Sequence, residues 1–332
     1  MSSAKRVISA SARFFSSSTA TPSRSISFSG AGFLGCYHLG VAQCLIDHKV
    51  LNVHPPSSSS AGGDAPQTLL GSSAGALVPA ALLCGVPVDV SMSLVFGASA
   101  AARSAGFLDV LSPGFSLVDN VEPAMVDLVT SQAGGKGADV DMHVRERCNG
   151  GRLRVFLTDP ERLQYLGQFS AHSFVDEFES LEHLTSACLL SSYVPIATGP
   201  LTPPPGSPLH RASSFMSTRK VKQMAKGGGV SVLDPKNRWL DGALSQMFPK
   251  LDSGTIIISP LAMRSSSNIV ICPKVDDKAR TLALGSLKLD ATATNAMAVR
   301  RMMISSDDGE LQRIFAAAYD DAKRVLKENN LA

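Results

Sequence analysis

A serine framed by glycines, Gly71-Ser72-Ser73-Ala74-Gly75, is the pattern in this chain best suited to nucleophilic chemistry. An apolar run (Thr68-Leu69-Leu70) precedes it, and an alanine- and leucine-rich run (Ala76 to Leu83) follows. Strand, tight turn and helix is the context in which G-x-S-x-G becomes a nucleophile elbow. Such a turn is sharp, so the residues around the serine must be small, as Gly71, Ala74 and Gly75 are. The helix behind the turn aims the positive end of its dipole at Ser73. A glycine-rich turn in any α/β domain has the same letters, so the rest of the chain must decide.

A second glycine loop lies upstream. Ile26-Ser27-Phe28 reads as a short strand, Gly30-x-Gly32-x-x-Gly35 as a loop, and Cys36 to Ile46 as a helix. Backbone N–H groups clustered at a helix N-terminus suit an anion. The glycines also fit the dinucleotide fingerprint G-x-G-x-x-G. That fingerprint expects a strand ending in Asp or Glu about 20 residues on, to hold a ribose. Here the corresponding stretch is His54-Pro55-Pro56 and a serine run, which argues against a dinucleotide cofactor.

Composition narrows the classes. The 332 residues are 44% apolar and 18% charged, enough for a sizeable core, and the net charge of +3 gives no argument for a nucleic-acid partner. Six scattered cysteines form no C-x-x-C pair, and no His/Cys cluster has metal-ligand spacing. The expectation is buried free thiols, no metal and no cofactor. The longest apolar stretch, Ala74 to Val95, is interrupted by Pro79, Pro87 and Asp89 and falls short of a membrane span. Any membrane contact is therefore expected to be peripheral.

Further elements follow from pattern. Residues 1–25 hold Lys5, Arg6, Arg13 and Arg24 among serines and alanines with no acid. That is the composition of an organelle transit peptide, mitochondrial ahead of plastid, or of a disordered tail. Ser57 to Ala65 reads as a flexible linker. Helices are expected near Ser91–Ala102, Val121–Val129, Ser180–Leu190 and Asp308–Asn329, with a glycine-rich mobile stretch at Ser131–Asp139. Strands are expected at Leu153–Leu157 and Thr255–Ile258, and Tyr165–Ser170 as a partner of the first. Pro200–Pro208 is too proline-dense for regular structure. Arg211, Arg219, Lys220, Lys222 and Lys226 then follow with no acid before Asp234, either a solvated loop or an anionic docking patch.

Three motifs stand in a fixed order: the loop Gly30-x-Gly32-x-x-Gly35, the elbow Gly71 to Gly75, and Asp241-Gly242-Ala243. Together they resemble the patatin-like phospholipase family, in its neutral-lipid branch. Segments carrying the likeness include Ser27–Leu45, Ser112–Asp119, Ser192–Ile196 and Leu240–Pro249, and it runs from about Ile26 to Pro260. Two positions depart from the pattern. Leu34 stands where many members carry a basic residue, and Ala243 stands where the branch has glycine. Residues 200–235 look like an insertion, and residues 261–332 like a C-terminal helical extension.

The resemblance implies a three-layer α/β/α sandwich around a mostly parallel sheet. It implies Ser73 as nucleophile, Asp241 as proton acceptor, and an oxyanion hole from Gly30, Ala31 and Gly32, with Gly35, Gly71, Gly75 and Gly242 as motif glycines. The sequence agrees with a dyad, because no histidine follows Asp241 and the last is His210. An α/β-hydrolase triad runs Ser, Asp, His in chain order. His38, beside the glycine loop, is the one histidine to check for a direct role. The implied substrate is an acylglycerol or a phospholipid, met at a lipid droplet or membrane surface, with room for a protein co-activator. A transacylase using the same dyad, and a catalytically silent lipid scaffold, are the alternatives.

Overall fold

The computed structural model describes residues 24–55, 66–110, 116–135, 137–159, 172–195, 198–224, 230–233, 239–284 and 286–331. The transit-peptide composition (apart from Arg24 and Ser25), the Ser57–Ala65 linker, the strand at Tyr165–Ser170 and Lys226 lie outside them.

The first half alternates strand and helix. β1 (Ile26–Phe28) leads through a 3-10 turn to α1 (Gly35–Asp47), and β2 (Leu69–Gly71) leads to α2 (Ala74–Leu83). Three helices follow: α3 (Val88–Val110), α4 (Leu117–Ala133) and α5 (Ala138–Cys148). Then come β3 (Leu153–Thr158), β4 (His172–Val175), α6 (Leu181–Ser191) and α7 (Pro208–Met216). After them stand β5 (Val221–Met224), β6 (Val230–Leu233), β7 (Leu240–Asp241), the short α8 (Ala243–Gln246) and β8 (Ile256–Ile258). The chain closes with β9 (Met263–Ser265), β10 (Val270–Ile271), β11 (Thr281–Leu284), β12 (Leu287–Asp290), α9 (Ala293–Met303) and α10 (Asp308–Glu328).

The main sheet has the order β10-β8-β1-β2-β3-β4-β5-β6, with β7 paired to β3. From β10 to β3 every neighbour is parallel. Beyond β3 the pairs turn antiparallel. Burial explains why the parallel strands are so apolar. Side chains alternate between faces along a strand, so Ile26, Phe28, Leu69, Leu153, Val155, Ile256 and Ile258 enter one core. That core is filled from α1, α2, α5 and α6. Ile257 points the other way, into a second cluster with Phe248, Leu261, Met263 and Ala298 of α9. A sheet covered on both faces is the expected three-layer α/β/α arrangement.

Local chemistry sets the helix ends. Ser116, Ser180, Ser207, Thr292 and Asp307 each accept a backbone N–H with the side chain and so cap α4, α6, α7, α9 and α10. Within Ser131–Asp139, read as a mobile glycine-rich stretch, one helix ends and the next begins. α4 runs on to Ala133 and stops at Gly134, whose φ of 66° ends a helix without the penalty a Cβ brings. α5 then begins with Asp139 and Asp141 and ends with Arg145 and Arg147, the charge order its dipole favours.

The expectation of a helical extension for residues 261–332 needs correction. Besides α9 and α10 the segment holds a three-stranded sheet of order β11-β12-β9, and it lends β10 to the main sheet. Helical periodicity is strong only in α10, where Leu311, Ala318, Ala322, Val325 and Leu326 are buried. α10 packs along α1, and Tyr37 Oη donates to Asp321 at 3.1 Å between them. Gly40 permits the approach, because a Cβ there would collide with the Phe315 carbonyl.

The basic stretch also changes character. Arg211 pairs with Glu122 at 2.9 Å, Arg219 with Glu179 at 3.2 Å, and Lys222 with Asp176 at 2.9 Å and Glu177 at 3.0 Å. The acids come from α4 and from the turn before α6, so folding supplies what the local sequence lacks. These cations are internal counter-ions rather than a free docking patch.

Candidate active site

Strand β3 brings the two candidate reacting groups together. Its residues Leu153 to Val155 pair with β2 on one edge, and β4 takes the opposite edge. Further along, Leu157 and Thr158 pair with β7. Since Leu157 also pairs with β4, β7 must lie on the edge that β2 has vacated. β2 leaves that edge at Gly71 opposite Val155, and Asp241 sits opposite Leu157. Two residues of strand are about 7 Å, the distance the chain covers in turning through Ser72 and Ser73.

The turn itself is strained. Ser73 has φ 56° and ψ −141°, a region that side-chain-bearing residues rarely occupy. Its flanking glycines are required by contact. A Cβ on Gly71 would collide with the Gly75 carbonyl, and one on Gly75 with the carbonyls of Ser29 and Phe28. Ser73 stands at the N-cap of α2, yet its side chain caps nothing. Its Oγ instead donates to Asp241 Oδ2 at 2.6 Å. The other oxygen, Oδ1, accepts the Ala243 N–H at 2.7 Å.

Asp241 is 3% exposed. Burial pushes its carboxyl up to about 6, against the opposing pull of the Ser73 and Ala243 hydrogen bonds. It still ionises below neutrality and is a stronger base than an ordinary carboxylate. Its backbone is fixed on both sides. The Asp241 N–H donates to the Tyr193 carbonyl at 2.9 Å, and Thr158 Oγ1 donates to the Asp241 carbonyl at 2.6 Å. Gly242 is obligatory, since a Cβ would meet the Phe156 carbonyl.

The glycine loop lies against the same serine, with one change from expectation. The Gly30 N–H is committed to the Met247 carbonyl at 3.0 Å, so it is not free to meet an oxyanion. What Gly30 supplies is room. A Cβ there would stand 2.6 Å from the Ala243 Cβ and 3.8 Å from that of Ser73. The methyl of Ala243 therefore occupies space that Gly30 leaves open. Ala31 and Gly32 follow in the loop and line the same cavity as Ser73. Gly32 has φ +52° and packs against the Met302 carbonyl at the end of α9.

His38 hydrogen-bonds Ser29 rather than Ser73. It is fully buried, and its Nε2 donates to the Ser29 carbonyl at 2.8 Å, so it braces the strand end that enters the glycine loop. Burial lowers its pKa to about 4 and keeps it neutral. His210 is exposed on α7.

Sequence reasoning missed Ser191. This buried residue ends α6, and its Oγ accepts the Ser73 N–H at 3.0 Å while donating to the Phe156 carbonyl at 2.7 Å. Its carbonyl accepts the Gly242 N–H at 3.0 Å. No motif marks it; the only signal was a polar residue closing an apolar helix just before Ser192–Ile196.

Ser73 and Asp241 sit in the wall of a cavity of about 360 Å³. The rest of the wall is mainly apolar, including Leu77, Val95, Val121 and Met125, and two of its few polar groups, the Ser91 and Ser192 hydroxyls, have no hydrogen-bond partner among the described residues. Among the described residues no group of histidines, cysteines or carboxylates could hold a metal, and no helix is long and apolar enough to cross a membrane.

A mostly parallel α/β fold that sets a serine elbow against a buried aspartate pairs a candidate nucleophile with a candidate base. Residues 26–251 match the family model for patatin-like phospholipase, and the chain belongs to that family. It is 27% identical over 311 residues to patatin-like phospholipase domain-containing protein 2 of Mus musculus, covering 92% of this chain and 50% of that protein. It is 26% identical to the 1-acylglycerol-3-phosphate O-acyltransferase PNPLA3 of Homo sapiens, covering 92% of this chain and 51% of the other. Patatin-like phospholipase domain-containing protein 4 of Homo sapiens is 24% identical, with 92% and 97% covered. The chain thus spans about half the length of the first two relatives.

Proposed function

We propose that this protein is a serine lipid acyl hydrolase that cleaves carboxyl esters of acylglycerols, triacylglycerol first and phospholipid second. The observation that carries the reading is the 2.6 Å hydrogen bond from Ser73 Oγ to a buried Asp241 at an apolar cavity. An acyl chain suits that cavity, and the ester carbonyl is the part of a lipid that the polar pair would meet.

Ser73 Oγ attacks the ester carbonyl carbon as its proton passes to Asp241 Oδ2. The carbonyl oxygen becomes an oxyanion, held by the amides of Ala31 and Gly32 and favoured by the positive end of α2. Collapse of the intermediate breaks the bond to the alcohol, which leaves with the proton from Asp241. Water then gives a proton to Asp241 and attacks acyl-Ser73. The second intermediate collapses to free fatty acid, and Ser73 regains its proton. Domain organisation follows the same reading: residues 26–260 form the catalytic unit, and the segment after it closes the sheet and the cavity.

An acyl-serine accepts any alcohol in place of water. The human relative PNPLA3 is named as an acyltransferase, which favours transfer to an alcohol as the second reading. One experiment tests both. Purified protein is given tri-, di- and monoacylglycerols and phospholipids, with and without a lysophospholipid acceptor, and the products are separated by chromatography. Release of fatty acid abolished in Ser73→Ala is expected. Release that survives in that variant refutes the assignment.

A further inference from the structure

Helix α9 meets the cavity at its carboxyl end. Met302 and Met303 line the cavity, as does Leu244 of α8. Met303 is 60% exposed and Leu244 40%, so both belong to solvent and cavity at once and mark its mouth. The outward face of α9 continues from there. Val299 lies one turn before Met303 and is 47% exposed, Met297 is 41% exposed, and Ile304 just beyond the helix is 39% exposed. The inward face carries the buried Asn295 and Ala298. Asn295 is locked by hydrogen bonds to Ala262 and Asp290, so the helix cannot roll to hide its apolar side.

The connection to α10 is also pinned. Ser305 Oγ donates to the Ser99 carbonyl at 2.8 Å, and Arg103 pairs with Asp308 at 2.9 Å. A rigid helix therefore presents methionine and valine to solvent beside the opening of an apolar cavity. One cation stands in that face. Arg300 lies over Met297 Sδ at 3.7 Å and has no carboxylate partner among the described residues, whereas Arg301 next to it is paired with Glu310 at 2.5 Å.

We propose that the outward face of α9, with Leu244, docks on a phospholipid-covered lipid surface, and that the cavity mouth is thereby pressed against the acyl chains. The choice of a lipid surface rests on the lipid substrate proposed above and on the continuity of this face with the cavity. Flexible methionines adapt to a fluid surface, and an unpaired arginine at its edge complements anionic headgroups. The docking surface is then α9, and not the basic stretch from Arg211 to Lys222, whose arginines and Lys222 are ion-paired within the fold.

The test is co-sedimentation of the full chain with phosphatidylcholine vesicles, with and without phosphatidylserine. Neither Met297 nor Val299 lines the cavity, so Met297→Ser/Val299→Ser should weaken partitioning by about tenfold and leave turnover of a soluble short-chain ester unchanged. Arg300→Gln should remove most of the gain that phosphatidylserine gives, an effect screened by salt. Lys220→Gln should bind like wild type. A polarity-sensitive fluorophore on Val299→Cys, whose emission should shift to the blue with vesicles, reads the same contact if the double variant does not fold. Wild-type binding by the double variant, or loss of binding in Lys220→Gln alone, overturns the proposal. So does a dimer in sedimentation that the double variant dissolves, since a second copy would then cover the face. Vesicle binding through α9 without any release of fatty acid would keep the docking surface and refute the hydrolase instead.

Discussion

The hydroxyl of Ser191 holds the backbone N–H of Ser73 at 3.0 Å. The same hydroxyl donates to Phe156 in β3, and the carbonyl of Ser191 holds Gly242 beside Asp241. One residue at the end of α6 thus fixes the strained elbow and the aspartate turn relative to each other. Ser191→Ala leaves the buried Ser73 N–H unpaired, at a cost of about 1–3 kcal/mol in stability. On the proposed mechanism it also loosens the Oγ–carboxylate geometry. Fluorophosphonate labelling of Ser73 should slow by about one to two orders of magnitude. KM for a soluble ester should change little, and the pH profile should keep its shape because Asp241 is intact. A labelling rate equal to wild type would show that Ser191 merely fills space.

The raised Asp241 carboxyl makes a two-part prediction. As the proposed base it must be ionised, so kcat/KM should fall below about pH 6, as a single group is protonated. Stability runs the opposite way. The native state holds this proton more tightly than the unfolded chain, so Asp241 contributes most when protonated. That contribution is lost as pH rises from about 4 through about 6, by about 3 kcal/mol at most. Asp241→Asn carries no such penalty. It should lose several orders of magnitude in ester hydrolysis, and its melting temperature should gain on wild type as pH rises from 4 to 7. A gap independent of pH would mean that Asp241 is not raised.

The positive φ of Ser73 predicts a difference between two variants that the proposed mechanism makes inactive. Ser73→Ala and Ser73→Gly both remove the hydroxyl and both free Asp241. Only glycine relieves the backbone. Ser73→Gly should therefore be more stable than Ser73→Ala by about 1 kcal/mol in chemical denaturation. Equal stabilities would show that the elbow is relaxed.

His38 is predicted to support rather than react. Its Nε2 holds the Ser29 carbonyl, one residue before Gly30. His38→Ala should cost about 1–3 kcal/mol in stability through the unpaired carbonyl and the cavity left behind. Labelling of Ser73 should persist in the folded protein. His210→Ala should change neither. A folded His210 variant as inactive as Asp241→Asn would replace the dyad by a triad.

Much of this was legible in the chain because it is local. The elbow needs small residues at fixed offsets from Ser73, and the strand and helix around it are dictated by apolar runs. Asp241 was legible only as part of a motif, since nothing in its neighbourhood says which serine it meets. The rest depended on contacts between distant segments. Gly30 read as an oxyanion donor because spacing does not show that Met247 takes its N–H. The basic stretch read as a solvated loop or a docking patch because its partners Glu122, Asp176, Glu177 and Glu179 stand far upstream. α9 drew no attention because its outward face is apolar apart from Arg300, the reverse of the usual amphipathic pattern, and its buried residues are Asn295 and Ala298.

The shared edge of β3 has a consequence during synthesis. Ser73 and Asp241 are 168 residues apart in the chain. At about 5–20 residues per second a ribosome needs about 10–30 s to pass from one to the other. β1, β2 and β3 can pair within that interval, since all three precede the aspartate, but the place beside β3 where β7 belongs stays empty. On the proposed mechanism, a chain still being made carries its nucleophile without its base. It cannot cut the lipids of a membrane it happens to touch until β7 has docked.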